Sequence, residues 1–308
     1  MTRTMDVAVT GSSGFIGTAL VAALSDAGHR VRRVVRRAPS GVDEVEWDPM
    51  AGTIDRVGLT GVDAVVNLAG EGIATRRWSD EQKRRIRESR TAGTRLISEA
   101  AAQLDPRPAV LISGSGVDYY GDRGDEELTE ASPPGSGFLT DVCIAWEAAT
   151  EPAAAAGIRT AFLRTGIVLH PEGGALPRML PLFRLGLGGP FGNGRQWWPW
   201  ITLADEVGAI VHLLTADVSG PVNCVSPQPV TNAQFTRTLA RVLHRPALVP
   251  VPRLGPAVLL GSELVQSLLY DSHRVLPAHL VESGYRFADP DLEGALRALL
   301  DRPEAPGT

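Results

Sequence analysis

The stretch VAVTGSSGFIGTAL, residues 7–20, constrains this chain more than any other. A short apolar run gives way to glycines at 11, 14 and 17, and these open directly into an amphipathic run. Glycines between a strand and a helix allow a tight bend, a close approach of backbone to pyrophosphate and close helix packing, while the helix N-terminus attracts negative charge. The spacing is G-x-x-G-x-x-G rather than G-x-G-x-x-G. Its place at the first strand-to-helix turn predicts a nucleotide phosphate site.

Apolar and amphipathic runs go on alternating through the first half of the chain. "HRVRRVV", "DAVVNLAG", "AVLISGS" and "RTAFLRTG" read as strands separated by longer amphipathic segments. Near-continuous Val, Ile, Leu and Ala in such runs fit strands buried on both faces, and the alternation predicts an α/β fold of Rossmann type with a doubly wound parallel sheet. Ser79 with Gln82 and Thr231 with Gln234 match capping boxes, and Asp289 before Pro290 marks a further helix start. From residue 170 to 200 the chain turns rich in Gly, Pro and Trp and reads as loops. Helices near 203–215 and 232–244 come next, a strand lies around "PVNCVS", and the last fifty residues read as mainly helical. We expect a nucleotide-binding domain over 1–170, with 203–225 returning to it, and a smaller C-terminal lobe over 171–308 on the substrate side.

Composition narrows the function classes. The 308 residues, 44% hydrophobic with a net charge of −5, suit an ordinary globular chain and lack the basic footprint that nucleic acid requires. No apolar run approaches the roughly eighteen residues of a membrane span, and the N-terminus enters a strand rather than a signal sequence. Cys143 and Cys224 are too far apart in sequence to suggest a zinc motif, and the six histidines show no metal spacing, so no metal is expected. A cytoplasmic location follows from these readings.

The second predicted strand ends at Arg36 and Arg37. Binders of unphosphorylated NAD usually carry Asp or Glu there for the ribose hydroxyls, whereas arginines suit a 2′-phosphate. NADP(H) is therefore the expected cofactor, the alternative being a merely solvated strand end.

At "TGSSGFIG", "NLAG" and "SGSGVDYYG" the chain resembles the extended short-chain dehydrogenase/reductases. More narrowly, "RRWSDEQKRRIRESRTAGT", "CIAWE", "RTGIVL", "GLGGPFGNGRQWWPWI" and "LPAHLVESGY" resemble an atypical NAD-dependent epimerase/dehydratase-like subfamily sometimes described as cell-division-inhibitor-like. The resemblance implies that Gly11, Ser13, Gly14, Phe15 and Ile16 cradle the pyrophosphate and that Arg36 meets the 2′-phosphate. It also implies that Leu68, Ala69 and Gly70 line the crevice, that Ser113, Gly114 and Ser115 lie near the nicotinamide, and that Thr165, Gly166 and Ile167 lie beneath it. A homodimer through paired long helices is a further expectation from the resemblance.

In the wider family a Tyr-x-x-x-Lys pair exchanges the proton. Here the resemblance sets Cys143 at the tyrosine and Glu147 at the lysine, and Lys83, the sole lysine, has Ser79 four residues before it. Arg90 stands where many relatives have an asparagine, Thr202 where close relatives have histidine, and Asp118 where a small residue is common. Replacement groups for chemistry are Ser115, Tyr119, Tyr120 and Glu147, with Cys143 a nucleophile or a core thiol. Glu147 could equally hold Arg90 or a cofactor hydroxyl, and one or both tyrosine rings could pack the loop. Arg195, Trp197 and Trp200 offer a planar cation and indole faces to substrate, or a tryptophan cluster closing the smaller lobe. Asp205 reads as a helix cap. Two functions stay open: an oxidoreductase or epimerase acting on a small carbonyl or alcohol, and a catalytically silent NADP(H) sensor.

Overall fold

The protein is described by a computed structural model over residues 4–247, 249–252, 257–258 and 261–301. The apolar runs form one eight-stranded sheet from β1 (Asp6–Thr10), β2 (Arg30–Val35), β3 (Glu44–Asp48), β4 (Thr53–Ile54), β5 (Ala64–Asn67), β6 (Val110–Gly116), β8 (Arg159–Thr165) and β13 (Gly220–Cys224). Their order is β13-β8-β6-β5-β1-β2-β3-β4; all are parallel except β4, which folds back on β3. Alternate residues feed opposite faces, as a pleated strand requires. Val7 and Val9 pack with Leu20, Leu24, Ile210 and Leu213, while Ala8, Val65 and Leu111 pack with Ile97 and Ala101.

Helices cover both faces. α1 (Phe15–Asp26) and α6 (Leu203–Thr215) lie together on one, and α2 (Asp80–Ala102), α3 (Phe138–Ala148) and α4 (Glu151–Ala155) on the other. Strand order reverses at β1, with β2 on one side and β5 on the other. In an open α/β sheet that reversal opens a ligand crevice at the C-terminal strand ends.

The rest of the chain builds a third apolar cluster from Leu176, Leu180, Phe183, Trp198, Trp200, Phe235, Leu239, Leu292 and Leu296. Short sheets accompany it: β9 (Ile167–His170) between β10 (Gly173–Gly174) and β12 (Trp200–Thr202), β11 (Trp197–Trp198) with β14 (Val230–Thr231), and β7 (Glu127–Leu128) with β15 (Arg274–Val275). α5 (Leu176–Arg184) lies inside the stretch that reads as loops. Its Pro177 occupies the first turn, where no N–H is needed, and Leu176, Leu180 and Phe183 supply the buried stripe despite Pro181. α7 (Asn232–Val242) carries the full capping box at Thr231 and Gln234. The last helix starts at Leu292, with Asp291 rather than Asp289 as its cap, because the Asp291 carboxylate accepts the Gly294 N–H at 2.8 Å.

Candidate functional site

The glycine turn has the geometry its spacing implies. Gly11 has φ +65°, and a Cβ there would come within 2.8 Å of the Leu68 carbonyl; a Cβ on Gly17 would run into the Gly11 carbonyl oxygen. Both positions require glycine. α1 is capped by Gly14 without any side-chain hydrogen bond, so its first-turn N–H groups face outward as an anion site. Ser13 and Gly14 are exposed there, with Phe15 and Ile16 half-buried behind them.

Opposite this turn lies the loop Leu68, Ala69, Gly70. The strand register aligns Thr10, Asn67 and Ser113 across β1, β5 and β6. Thr10 donates to Asn67 Oδ1 (2.7 Å) and accepts the Ala69 N–H (3.2 Å), while Asn67 donates to Thr94 (2.7 Å) and Ser113 (3.3 Å). Trp146 donates to Thr94 as well (2.8 Å), and its indole lies where any Cβ on Gly114 would clash. This buried network fixes the crevice wall. Arg90 supports the same wall from behind: its guanidinium donates to the Glu71 carbonyl at 2.8 Å and stacks 4.9 Å from the Trp146 ring. The structure thus gives Arg90 a supporting place, and it does not pair with Glu147.

The two arginines after β2 separate in role. Arg37 is held by Glu44 at 2.5 Å, and that arginine, with Ser40, lowers the Glu44 carboxyl to about 2. Arg36 is exposed, and among the described residues its guanidinium has no ion-pair or hydrogen-bond partner. Beneath the crevice Thr165 donates to Glu206 Oε1 at 2.7 Å. Burial raises Glu206 to about 8, which favours its neutral form. Gly166 admits the Pro199 carbonyl, which a Cβ would meet at 2.5 Å, and the half-buried Ile167 begins β9.

At the C-terminal end of β6 the candidate reacting groups are tied to one another. Arg164 of β8 forms a two-pronged pair with Glu147, both contacts at 2.9 Å, and Ser115 donates to the same carboxylate at 2.7 Å. Arg164 also donates to the Tyr120 hydroxyl (3.0 Å), which donates to Asn223 (2.7 Å), and its guanidinium stacks 3.4 Å from the centre of the Tyr119 ring. Tyr120 is fully buried, and that burial pushes its hydroxyl up to about 12. Cys143 is buried too, with its thiol raised to about 12 by desolvation and then by Asp118 and Glu147. A neutral, enclosed thiol is a core group rather than a nucleophile. Of the alternatives left open for Tyr120 and Cys143, the structure has the packing ones: Tyr120 locks Arg164, and Cys143 fills space beside Gly116. Nothing in the apolar run FLRT singles out Arg164 in the sequence.

The aromatic residues of the C-terminal part also divide. Trp200 is 1% exposed within the third cluster and donates to the Gln228 carbonyl, so it closes the core instead of facing substrate. Trp197 is half-buried between Asp125, which accepts its N–H at 2.8 Å, and Arg274, stacked 4.7 Å away. Arg195 is exposed beside it. Asp205 is not the cap of α6. Thr202 is: its hydroxyl accepts the Asp205 N–H at 3.2 Å, leaving the Asp205 carboxylate to accept from Tyr285 and from the backbone N–H groups of Ala288 and Asp289.

An anion-ready helix end at the reversal point of a doubly wound sheet defines a Rossmann-type nucleotide-binding protein. Residues 7–225 match the NAD dependent epimerase/dehydratase family, and the chain belongs to that family; residues 251–299 match a domain of unknown function, DUF1731. An epimerase family protein of Mycobacterium bovis, Mb2239, is 44% identical over 96% of this chain and 98% of its own length. The crystal structure of human epimerase family protein SDR39U1 (isoform 2) with NADPH superposes with a TM-score of 0.89 at 36% identity, covering 97% of this chain and 100% of that one. A UDP-glucose 4-epimerase from Thermotoga maritima shares the fold at a TM-score of 0.75 and 20% identity. Among the described residues no helix is long and apolar enough to cross a membrane, and no group of three or more His, Cys, Asp or Glu could hold a metal.

Proposed function

We propose that the chain is an NADP(H)-dependent oxidoreductase or epimerase-like enzyme acting on a small carbonyl or alcohol compound without a Tyr-x-x-x-Lys pair. The observation that carries this reading is the crevice itself: an uncapped α1 N-terminus for the pyrophosphate, with the unpaired Arg36 guanidinium at the end of β2 for the 2′-phosphate. NADPH in the human relative's structure supports it. The bound nicotinamide would supply or accept hydride. The chain's own residues hold the nucleotide at Gly11, Ser13, Gly14, Phe15 and Ile16, line it with Leu68 to Gly70, and close the floor with Thr165 to Ile167. The exposed Arg195 is the polar group offered to substrate, while Ser115 is buried with its hydroxyl donated to Glu147. Two buried free cysteines suit a reducing, cytoplasmic setting. A homodimer fits the reading.

One observation favours the alternative of a silent NADP(H) sensor: Tyr120, Cys143 and Glu147 are all engaged or enclosed. The test is fluorescence titration with NADPH and NADH, then NADPH oxidation against ketones, quinones, enones and imines. NADPH should bind at least about tenfold tighter than NADH, and Arg36→Ala should erase most of that preference. Equal affinity for the two nucleotides would refute the cofactor assignment, and tight binding without turnover across the panel would select the sensor.

A further inference from the structure

Among the polar side chains at the end of β6, Asp118 alone keeps its charged atoms unspent. Glu147 is bound by Arg164 and Ser115, and the Tyr120 hydroxyl by Arg164 and Asn223. The Asp118 carboxylate makes no ion pair or hydrogen bond to another described residue. Asp118 stands on the 3₁₀ turn Val117–Tyr120 that follows β6, at the sheet edge where ligands bind. Thr140 of α3 donates to its carbonyl at 2.7 Å and pins the turn.

The location is specific. Asp118 Oδ2 lies 3.3 Å from the point where a Cβ on Gly116 would stand, and Cys143 Sγ lies 3.6 Å from that same point. The carboxyl therefore sits beside the side chain that occupies the tyrosine's place on α3. A proton-exchanging group adjacent to the missing one, on the crevice edge and otherwise unbound, is positioned to replace it.

We infer that Asp118 supplies and takes up the proton in this cleft, in the place left by the absent tyrosine; the inference rests on the NADP(H) reading above. In the reductive direction the substrate's carbonyl carbon gains a hydride, with its electron pair, from the reduced nicotinamide. The C=O π pair moves to oxygen, and that oxygen takes the proton of Asp118. The O–H electron pair stays on the carboxylate, and solvent returns the proton. Oxidation of an alcohol reverses each transfer.

The surroundings suit the exchange. Burial raises the Asp118 carboxyl to about 6, with Asp271 of the C-terminal part adding to the rise and Arg90 of α2 opposing it. Cys143 of α3 stays protonated across the neutral range. Glu71 acts on Arg90 and Glu147 on Cys143, and the Glu147 carboxylate is itself held by Arg164. Asp118 thus changes charge near the pH at which acid and base forms are both available.

This group must also sense the ring charge of the nucleotide. A carboxylate favours the cationic oxidised nicotinamide, and a neutral acid does not. The test measures NADP+ and NADPH affinity of the full chain from about pH 5 to about pH 8, with Asp118→Asn and Asp118→Ser beside the wild type. Taking the ratio of the two affinities cancels the titration of the 2′-phosphate, which both ligands share and which falls near pH 6. As pH rises, the wild type should gain about tenfold in preference for NADP+, as a difference of about one unit in the Asp118 pKa between the two complexes would give, and both variants should show a flat ratio. Any turnover found in the substrate panel should lose its pH break near 6 in the variants. A pH-independent ratio in the wild type, or an unchanged slope in folded Asp118→Asn and Asp118→Ser, would overturn the inference alone. Failure of the wild type to bind either nucleotide would overturn the NADP(H) reading and this inference together.

Discussion

The residue that most changes the meaning of this site is Arg164. Glu147 stands where the resemblance places a lysine, and a lone carboxylate there would be a buried, uncompensated charge. Arg164, with its side chain 3% exposed, answers it from the adjacent strand with two parallel contacts and extends the compensation to Tyr120 and Asn223. Replacing one partner of such a pair strands the other. Arg164→Met should therefore cost about 3–5 kcal/mol in urea unfolding, and adding Glu147→Leu should recover part of the loss. Tyr120→Phe removes one donor to Asn223 and one acceptor for Arg164, and should cost about 1–2 kcal/mol. Both Tyr120→Phe and the double variant should keep NADPH affinity within about twofold, since these groups brace the end of β6 and leave the phosphate turn intact. Loss of nucleotide binding with unchanged unfolding midpoints would contradict a bracing role.

Elements carry the site only as precisely as their ends are set. α1 can present its N–H groups because Gly17 lets the helix start press on the Gly11 carbonyl, and because no side chain caps Gly14. Gly17→Ala inserts a methyl group into that contact. It should weaken NADPH binding by more than about tenfold while far-UV circular dichroism keeps its α/β shape; unchanged affinity would mean that the turn relaxes freely. This part of the site is legible in the sequence, since glycine spacing, apolar period and cap residues are local signals. Of the box expected at Ser79 and Gln82 the first half is seen, with the Gln82 N–H donating to Ser79 at 3.2 Å, and no return bond from the Gln82 side chain is seen among the described residues. Other features depend on what the fold brings together. Thr10, Asn67, Thr94 and Trp146 become one network only when the strand register and α2 align them. α5 is hidden by its two prolines, and the cap at Asp291 by an equally suitable Asp289 two residues before it.

At the scale of the molecule, the segments after residue 200 are needed to finish the sheet on which the site stands. β13 pairs along β8 from Gly220 to Cys224, α6 covers the α1 face, and Leu280 joins the same core as Val7 and Val66. Glu130 accepts the N–H groups of both Asn223 and His279, and Ser226 donates to the Pro290 carbonyl. Asp205 concentrates this interlocking in one side chain, 1% exposed, holding Tyr285, Ala288 and Asp289 against the start of α6. If the C-terminal part were an independent unit, cutting that clasp would release it early and leave the large sheet folded. Because the cores are shared, Asp205→Ala should instead lower one common transition, by about 2–4 kcal/mol for the two buried N–H groups left unpaired, the Tyr285 hydroxyl keeping the residue 205 carbonyl. With Trp47, Trp78 and Trp146 replaced by Phe, the remaining tryptophan fluorescence comes from Trp197, Trp198 and Trp200 in or beside the third cluster, while far-UV circular dichroism is weighted toward the sheet and its helices, so the two signals report the two parts separately. Coincident urea curves at a lower midpoint would establish the shared core, whereas an early fluorescence transition ahead of the circular dichroism would show two units that only lean on each other.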